Sequence, residues 1–263
     1  MNSSLPKYFL STGKKQILLG ESLPLMIDMM ETVLVCPYSP KCLFVWIVFR
    51  LDMLAPYSSY LRKLHVVLAS TSCRRKEILQ DQLGMQFDAV SSNYDESLCP
   101  INRLSPYEYV IENATQKAAA VVKKFETDPS LLIIGADTVV VLNDEIIGKP
   151  KSPAHNIEIL TKLSGKRHDV LTGVCLIYAV GESTHRMKSF CERTKVYMGN
   201  LPRAVIEAYV SSGEPESKAG GYAIQGQGST LIESIDGDYF NVVGFPAYRF
   251  AKEIRELLQA NAL

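Results

Sequence analysis

The stretch His65-Val66-Val67-Leu68-Ala69-Ser70-Thr71-Ser72-Cys73-Arg74-Arg75-Lys76-Glu77-Ile78-Leu79-Gln80-Asp81-Gln82-Leu83-Gly84 decides how this chain is read. His65 to Ala69 reads as a buried strand, and Ser72 then caps a helix from Cys73 to Leu83 that Gly84 closes. A strand feeding a helix through so short a turn is the unit of an α/β fold. At the junction, the hydroxyls of Ser70 and Ser72, unpaired helix-start amides and the guanidinium groups of Arg74 and Arg75 converge, which makes a phosphate cradle. Cations in a first helical turn oppose the helix dipole, so two in succession point to an anion held between them, which arginine can bind bidentately. The alternative for that pair is two surface arginines with solvated heads.

Working outward, the same alternation continues to the C-terminus. Ser105-Pro106-Tyr107-Glu108 is a capping box with proline at the first helical position, opening a helix with the apolar face Val110, Ile111, Ala114, Ala118, Val121, Val122 and Phe125. Leu131 to Ile134 reads as a short apolar strand, Thr138 to Leu142 as extended chain, and Asn143-Asp144 as a turn before Glu145-Ile146-Ile147. Ser152-Pro153 starts a helix ending at Gly165, and strands follow at Val170 to Val180 and Phe190 to Met198. A helix from Pro202 to Ser212, a glycine-rich section reaching Pro246 and a helix from Ala247 to Gln259 complete the chain.

Three further features carry chemistry. Lys117 lies on or beside the buried stripe of its helix, where an ammonium needs an anionic partner unless it snorkels from the stripe edge. Asp137 follows Leu131 to Ile134 through Gly135-Ala136, at the carboxyl end of a strand, where open α/β sheets hold their ligands. There it is a candidate metal ligand or general base, or else a turn or cap aspartate. Lys149 of Gly148-Lys149-Pro150, and Asp95 with Glu96 after the extended segment Phe87 to Ser92, are within reach of the same cleft. Basic groups beside carboxylates that hold a divalent cation are what metal-assisted phosphoanhydride hydrolysis requires. The chain has no G-x-S-x-G elbow, no G-x-x-x-x-G-K-[ST] loop and no G-x-G-x-x-G after a strand, so direct attack by water is favoured over a covalent nucleophile.

Composition narrows the choice. The 263 residues carry 28 basic and 28 acidic side chains, so bulk binding to nucleic acid or an anionic membrane has no electrostatic basis. Six cysteines without a C-x-x-C pair and four scattered histidines argue against a structural zinc or a disulfide framework. The longest apolar run, Cys42 to Phe49, is far short of the roughly 20 residues that span a bilayer. A cytoplasmic protein is expected. Residues 1–60, irregular in pattern, are expected to be an N-terminal extension before a domain at 61–263, with Met53 a candidate start of a shorter form.

Taken in order, Leu68-Ala69-Ser70-Thr71-Ser72-Cys73-Arg74-Arg75, Ala114-Thr115-Gln116-Lys117-Ala118, Ile134-Gly135-Ala136-Asp137-Thr138, Gly148-Lys149-Pro150, Leu163-Ser164-Gly165, Leu171-Thr172-Gly173-Val174, Lys218-Ala219-Gly220-Gly221-Tyr222-Ala223-Ile224-Gln225-Gly226 and Asp236-Gly237-Asp238-Tyr239 resemble the Maf family of nucleoside triphosphate pyrophosphatases. The resemblance implies an elongated mixed sheet with flanking helices, two lobes around a nucleotide cleft, and a shape related to the inosine triphosphate pyrophosphatases. It implies hydrolysis of a nucleoside triphosphate to monophosphate and pyrophosphate with Mg²⁺ or Mn²⁺. By the same resemblance Asp137 matches the proton acceptor and Ser70, Arg75, Lys117 and Lys149 the phosphate-facing residues, with Glu96 a better match than Asp95 for the acidic metal-side position. Arg74, Thr138 and Gln225 match the specificity set of the subfamily acting on dTTP and UTP, where the sister subfamily acting on 7-methyl-GTP has a bulky aromatic in place of Arg74.

Two departures from the family pattern are Cys73 in place of proline and an Asp-Glu rather than Glu-Glu acidic pair. The resemblance also admits a homodimer, with no interface legible in the sequence. The rival readings are a non-catalytic nucleotide-binding regulatory module, disfavoured by intact Asp137, Lys117 and Lys149, and an inosine-type purine triphosphate pyrophosphatase, disfavoured by Arg74, Thr138 and Gln225.

Overall fold

The computed structural model describes residues 54–263 apart from 101–102, 182–183 and 217, and before residue 54 only the backbone of four short strands. The chain divides into two units, 1–51 and 52–263. In the first, β1 (Phe9–Thr12) pairs antiparallel with β2 (Lys15–Leu18), and β3 (Val33–Leu34) with β4 (Trp46–Ile47). The expected extension at 1–60 otherwise lies largely outside the described residues.

The second unit is a mixed α/β structure around a seven-stranded sheet. Its strands are β5 (His65–Leu68), β6 (Asp88–Ala89), β7 (Leu131–Leu142), β8 (Glu145–Ile147), β9 (Arg167–Gly181), β10 (Thr184–Met198) and β11 (Ile232–Asp236). The order is β11-β10-β9-β7-β5-β6, with β8 also on β7. β5 runs parallel to β6 and β7, and the remaining pairings are antiparallel. The helices are α1 (Ser58–Leu61), α2 (Cys73–Glu77), α3 (Pro106–Val122), α4 (Pro153–Leu163), α5 (Arg203–Ser211), α6 (Tyr239–Val243) and α7 (Ala247–Gln259).

Strand periodicity sorts β7 between the two faces of the sheet. Leu131 and Ile133 pack with Ala114 and Ala118 of α3, whereas Leu132, Ile134 and Ala136 pack with Phe250, Ala251 and Ile254 of α7. Beyond the midpoint, Val140 and Leu142 join Leu160 and Leu163 of α4 and Ile206 of α5 in a separate core. Two packed halves thus share one sheet.

One edge of β7 changes partner along its length. Leu131 to Ile134 pair with β5 and Val140 to Leu142 with β8. Residues 135–139, between them, pair with neither strand while remaining bonded to β9 on the other edge. Over this gap α3 lies very close to the sheet: a Cβ on Gly135 would come within 2.2 Å of the Ala114 carbonyl oxygen, and one on Gly173 within 2.3 Å of that of Val110. Glycine at both positions lets the helix approach.

The structure revises several local expectations. β7 is one continuous strand, so Asp137 stands mid-strand; it lies past the end of β5, which keeps it at the carboxyl end of a parallel neighbour. Ser72 occupies the N-cap position of α2, yet its side chain makes no capping bond; its amide instead donates to Ser70 Oγ at 3.2 Å. The helix continues to Gln82, but as a π-turn over Ile78–Gln82. The glycine-rich section contains β11 and α6, whereas the capping box at Ser105 and the limits of α7 match the expectation.

Candidate active site

The gap in the β7 edge opens into a cleft of about 840 Å³. Lining it are the Ser70–Arg75 turn, Glu96, Lys117, Asp137, Thr138 and Lys149, with Glu214, Lys218, Tyr222 and Gln225 from the other half. That volume is in the ordinary range for a small-molecule site. Because successive strand residues face opposite ways, Asp137 points to the α3 side and Thr138 to the α7 side, and the missing strand partner lets both reach the cleft.

On the α3 side, Lys117 is 8% exposed and Asp137 6%. The Lys117 Nζ donates to Asp137 Oδ1 at 2.6 Å and lies 2.8 Å from Glu96 Oε1. This is the anionic partnership a lysine on a buried stripe requires. Asn113 Nδ2 donates to Asp137 Oδ2 at 3.2 Å, so both carboxylate oxygens are held from the same helix. Lys149 Nζ is 4.0 Å from Glu96 Oε1, on the exposed side. Burial works against the charge on Glu96, and Lys117, aided by Lys149 and Arg75, overcomes it, so its carboxyl sits below the usual carboxylate range.

On the α7 side, Arg75 is a brace. Its Nε donates to the Gly244 carbonyl at 3.0 Å, one terminal nitrogen to Ser70 Oγ at 3.3 Å and the other to Thr138 Oγ1 at 3.0 Å. Burial pushes the guanidinium below its ordinary value, opposed by the Asp137 carboxylate. Thr138 also bonds Thr172 Oγ1 at 3.0 Å, behind the cleft wall. Arg74, half-buried, and Gln225, exposed, line the cleft nearer its other half.

Of the residues singled out from sequence, Ser70, Ser72, Arg74, Arg75, Glu96, Lys117, Asp137, Thr138, Lys149 and Gln225 come together around this cleft. Asp95 does not: it is exposed, and its Oδ1 accepts from the Ser97 amide at 2.9 Å, capping a short turn. Sequence reasoning overlooked Asn113, although it stands four residues before Lys117 and therefore on the same helix face. It also overlooked the Gly244 carbonyl, which no local pattern marks. Two carboxylates with hard oxygen donors converge here; among the described residues no three of His, Cys, Asp and Glu do so.

Fold and site together define a mixed α/β protein whose cleft sets ammonium and guanidinium groups against paired carboxylates. The chain belongs to the Maf family, since the family model described as Maf-like protein matches residues 65–257. It is 40% identical over 192 residues to the dTTP/UTP pyrophosphatase of Methanosarcina barkeri, covering 73% of this chain and 93% of that one. Similar figures, 40% over 191 residues, hold for the dTTP/UTP pyrophosphatase of Bacillus thuringiensis. The probable bifunctional dTTP/UTP pyrophosphatase/methyltransferase protein of Homo sapiens is 39% identical over 211 residues, and there the match spans 34% of the human protein's length. The solved structure of the Staphylococcus aureus Ham1 protein aligns with a TM-score of 0.42 at 16% identity, over 76% of this chain and all of that one.

Proposed function

We propose that this chain is a nucleoside triphosphate pyrophosphatase acting on dTTP and UTP. Water attacks the anhydride between the first and second phosphates, and the products are the nucleoside monophosphate and pyrophosphate. The observation that carries the reading is the buried Lys117 ammonium between Asp137 and Glu96 at the open edge of β7. Relatives named dTTP/UTP pyrophosphatase, matched over nearly their whole length, support the choice of nucleotide.

In this mechanism Asp137 accepts the proton of the attacking water. Its Oδ1 and Oδ2 are oriented by Lys117 and Asn113, so the carboxylate needs no rearrangement to take up that role. Lys117 and Lys149 face the phosphate oxygens and offset the charge that grows on the leaving pyrophosphate. The Ser70 and Ser72 hydroxyls complete the cradle, with Arg75 holding the turn in shape. Arg74, Thr138 and Gln225 select the base.

Glu96 and Asp137 would hold Mg²⁺ or Mn²⁺; two carboxylates suit such an ion, which uses one or two of them together with substrate phosphates and water. When bound, the cation supplies Lewis-acid neutralisation of the triphosphate. Asp95, directed elsewhere, has no part in this set. Residues 61–263 would carry the activity in the cytoplasm, with no need of a nucleic acid or a membrane; among the described residues no helix is long and apolar enough to cross a bilayer.

The test is pyrophosphate release from dTTP, UTP, CTP, 7-methyl-GTP and ITP with Mg²⁺ or Mn²⁺. Turnover of dTTP and UTP ahead of the purines is expected. Preference for ITP or 7-methyl-GTP would overturn the substrate assignment, and nucleotide binding without turnover would make the chain a sensor.

A further inference from the structure

Gln225 stands on a loop whose shape nothing in its own side chain explains, and two residues of the preceding helix and turn hold that loop from both ends. Ahead of Gln225, the Ala223 amide donates to the Tyr209 hydroxyl at 3.0 Å. Behind it, the amides of Gln227 and Gly228 donate to the two oxygens of the Glu214 carboxylate at 2.8 and 2.9 Å. The Tyr209 hydroxyl in turn donates to Glu214 Oε1 at 3.2 Å, which joins the anchors into one chain. Glu214 is fixed in its own right: its amide donates to Ser212 Oγ at 3.2 Å, and Lys218 Nζ donates to its carbonyl.

The packing is as tight as the bonding. Gly226 has a φ of +71°, and a Cβ there would lie 2.7 Å from Glu214 Oε2. A Cβ on Gly228 would meet the Ala223 carbonyl at 2.1 Å and the Tyr209 hydroxyl at 2.7 Å. The two glycines on either side of Gln227 therefore fit a carboxylate and a phenol already in place. Burial disfavours charge on Glu214, and the hydrogen bonds from Gly228, Gln227 and Tyr209 with the Lys218 ammonium overcome it, holding its carboxyl below the usual range.

We infer that Glu214 is a positioning residue for nucleobase selection: its carboxylate, relayed through Tyr209, clamps the 223–228 backbone and so sets where Gln225 meets the base. This rests on the reading of Gln225 as a specificity residue. Glu214 acts on the base end of the substrate, remote in role from Asp137 and Lys117, so its loss weakens binding and selection while leaving the chemical step.

The experiment uses the full chain, Glu214→Gln, Gln225→Ala, their double variant and Tyr209→Phe. The amide of Glu214→Gln keeps the shape of the side chain but presents an N–H to one of the two backbone donors, leaving it unpaired. The expected result is a KM for dTTP and UTP raised about tenfold with kcat within about twofold, and reduced discrimination against purine triphosphates. Adding Glu214→Gln to Gln225→Ala then has little further effect, because both act through one side chain. Tyr209→Phe moves KM in the same direction by less. Amide hydrogen exchange at Gln227 and Gly228 quickens in Glu214→Gln. A fall in kcat at unchanged KM, or full additivity with Gln225→Ala, would overturn the inference, as would unchanged exchange at those amides. If the wild-type chain hydrolyses neither nucleotide, the functional reading fails separately, and the exchange measurement alone decides whether the clamp exists.

Discussion

Three side chains on α3 and β7 do most to shape the site. Lys117 bonds Asp137 and meets Glu96, and Asn113 holds the remaining Asp137 oxygen. Replacing Asp137 by Asn keeps the volume but removes the proton acceptor, and kcat is expected to fall about a hundredfold or more in a pyrophosphate-release assay; the unfolding temperature should fall as well, because buried Lys117 keeps only Glu96 as its anionic partner. Asn113→Ala should lower kcat more mildly, because Lys117 still orients the carboxylate. A different residue contributes to acid sensitivity. His168, 2% exposed, is paired through Nε2 with the Tyr222 hydroxyl at 2.7 Å, and burial lowers its pKa from 6.5 to about 4. In that interval the unfolded chain binds a proton that the folded chain refuses, so stability falls as pH drops from 6.5 toward 4, by about 3 kcal/mol. Urea unfolding of wild type and His168→Phe between pH 7 and 4 checks this: the variant should lose less. Lys117 was legible because a lysine on an apolar stripe demands a partner. The choice between Asp95 and Glu96 was legible only through the family resemblance, which favoured Glu96; its physical reason is a short helical turn that Asp95 caps.

Among the elements, β7 decides the architecture, and it was read only in part. Gly135 and Asp137 are poor strand formers, and from sequence they divide the segment in two. In the fold they are what the strand needs: glycine admits α3 to the sheet, and the aspartate occupies the length of edge left free between β5 and β8. Tertiary contact outweighs propensity there. Gly135→Ala would drive a Cβ to 2.2 Å from the Ala114 carbonyl oxygen, a clash with backbone that only movement of α3 relieves. A loss of about 3 kcal/mol in denaturant unfolding is expected, with activity falling as Lys117 is carried away from the cleft. Gly181→Ala, where no described residue lies within 4 Å of the added carbon, is the control and should stay within about 0.5 kcal/mol. The longer helices α3, α4, α5 and α7 were legible, because a capping box or an amphipathic stripe is complete within its own segment, whereas the five-residue α6, capped by Asp238, was not. β11 was hidden among glycines, its pairing with β10 being supplied by residues distant in sequence.

For the whole molecule, the core of the second unit begins early. Leu54, 2% exposed, packs in the cluster of Leu68, Phe245 and Phe250, with Tyr57 and Leu61 against it. A chain starting at Lys63 discards Leu54 and should therefore be about 3 kcal/mol less stable than one starting at Met53. Sequence patterning marked the change from irregular to alternating text near this point but not Leu54 itself, which has no periodic neighbours to signal its burial. The two halves of the fold meet at one cleft and serve one reaction. Pyrophosphate release from dTTP and UTP with Mg²⁺, by the full chain and by Asp137→Asn side by side, tests this. Turnover of both nucleotides by the wild type and its near-complete loss in the variant are expected. Equal turnover by the two proteins would contradict the assignment of Asp137, and absence of turnover in a folded wild type would contradict the activity itself.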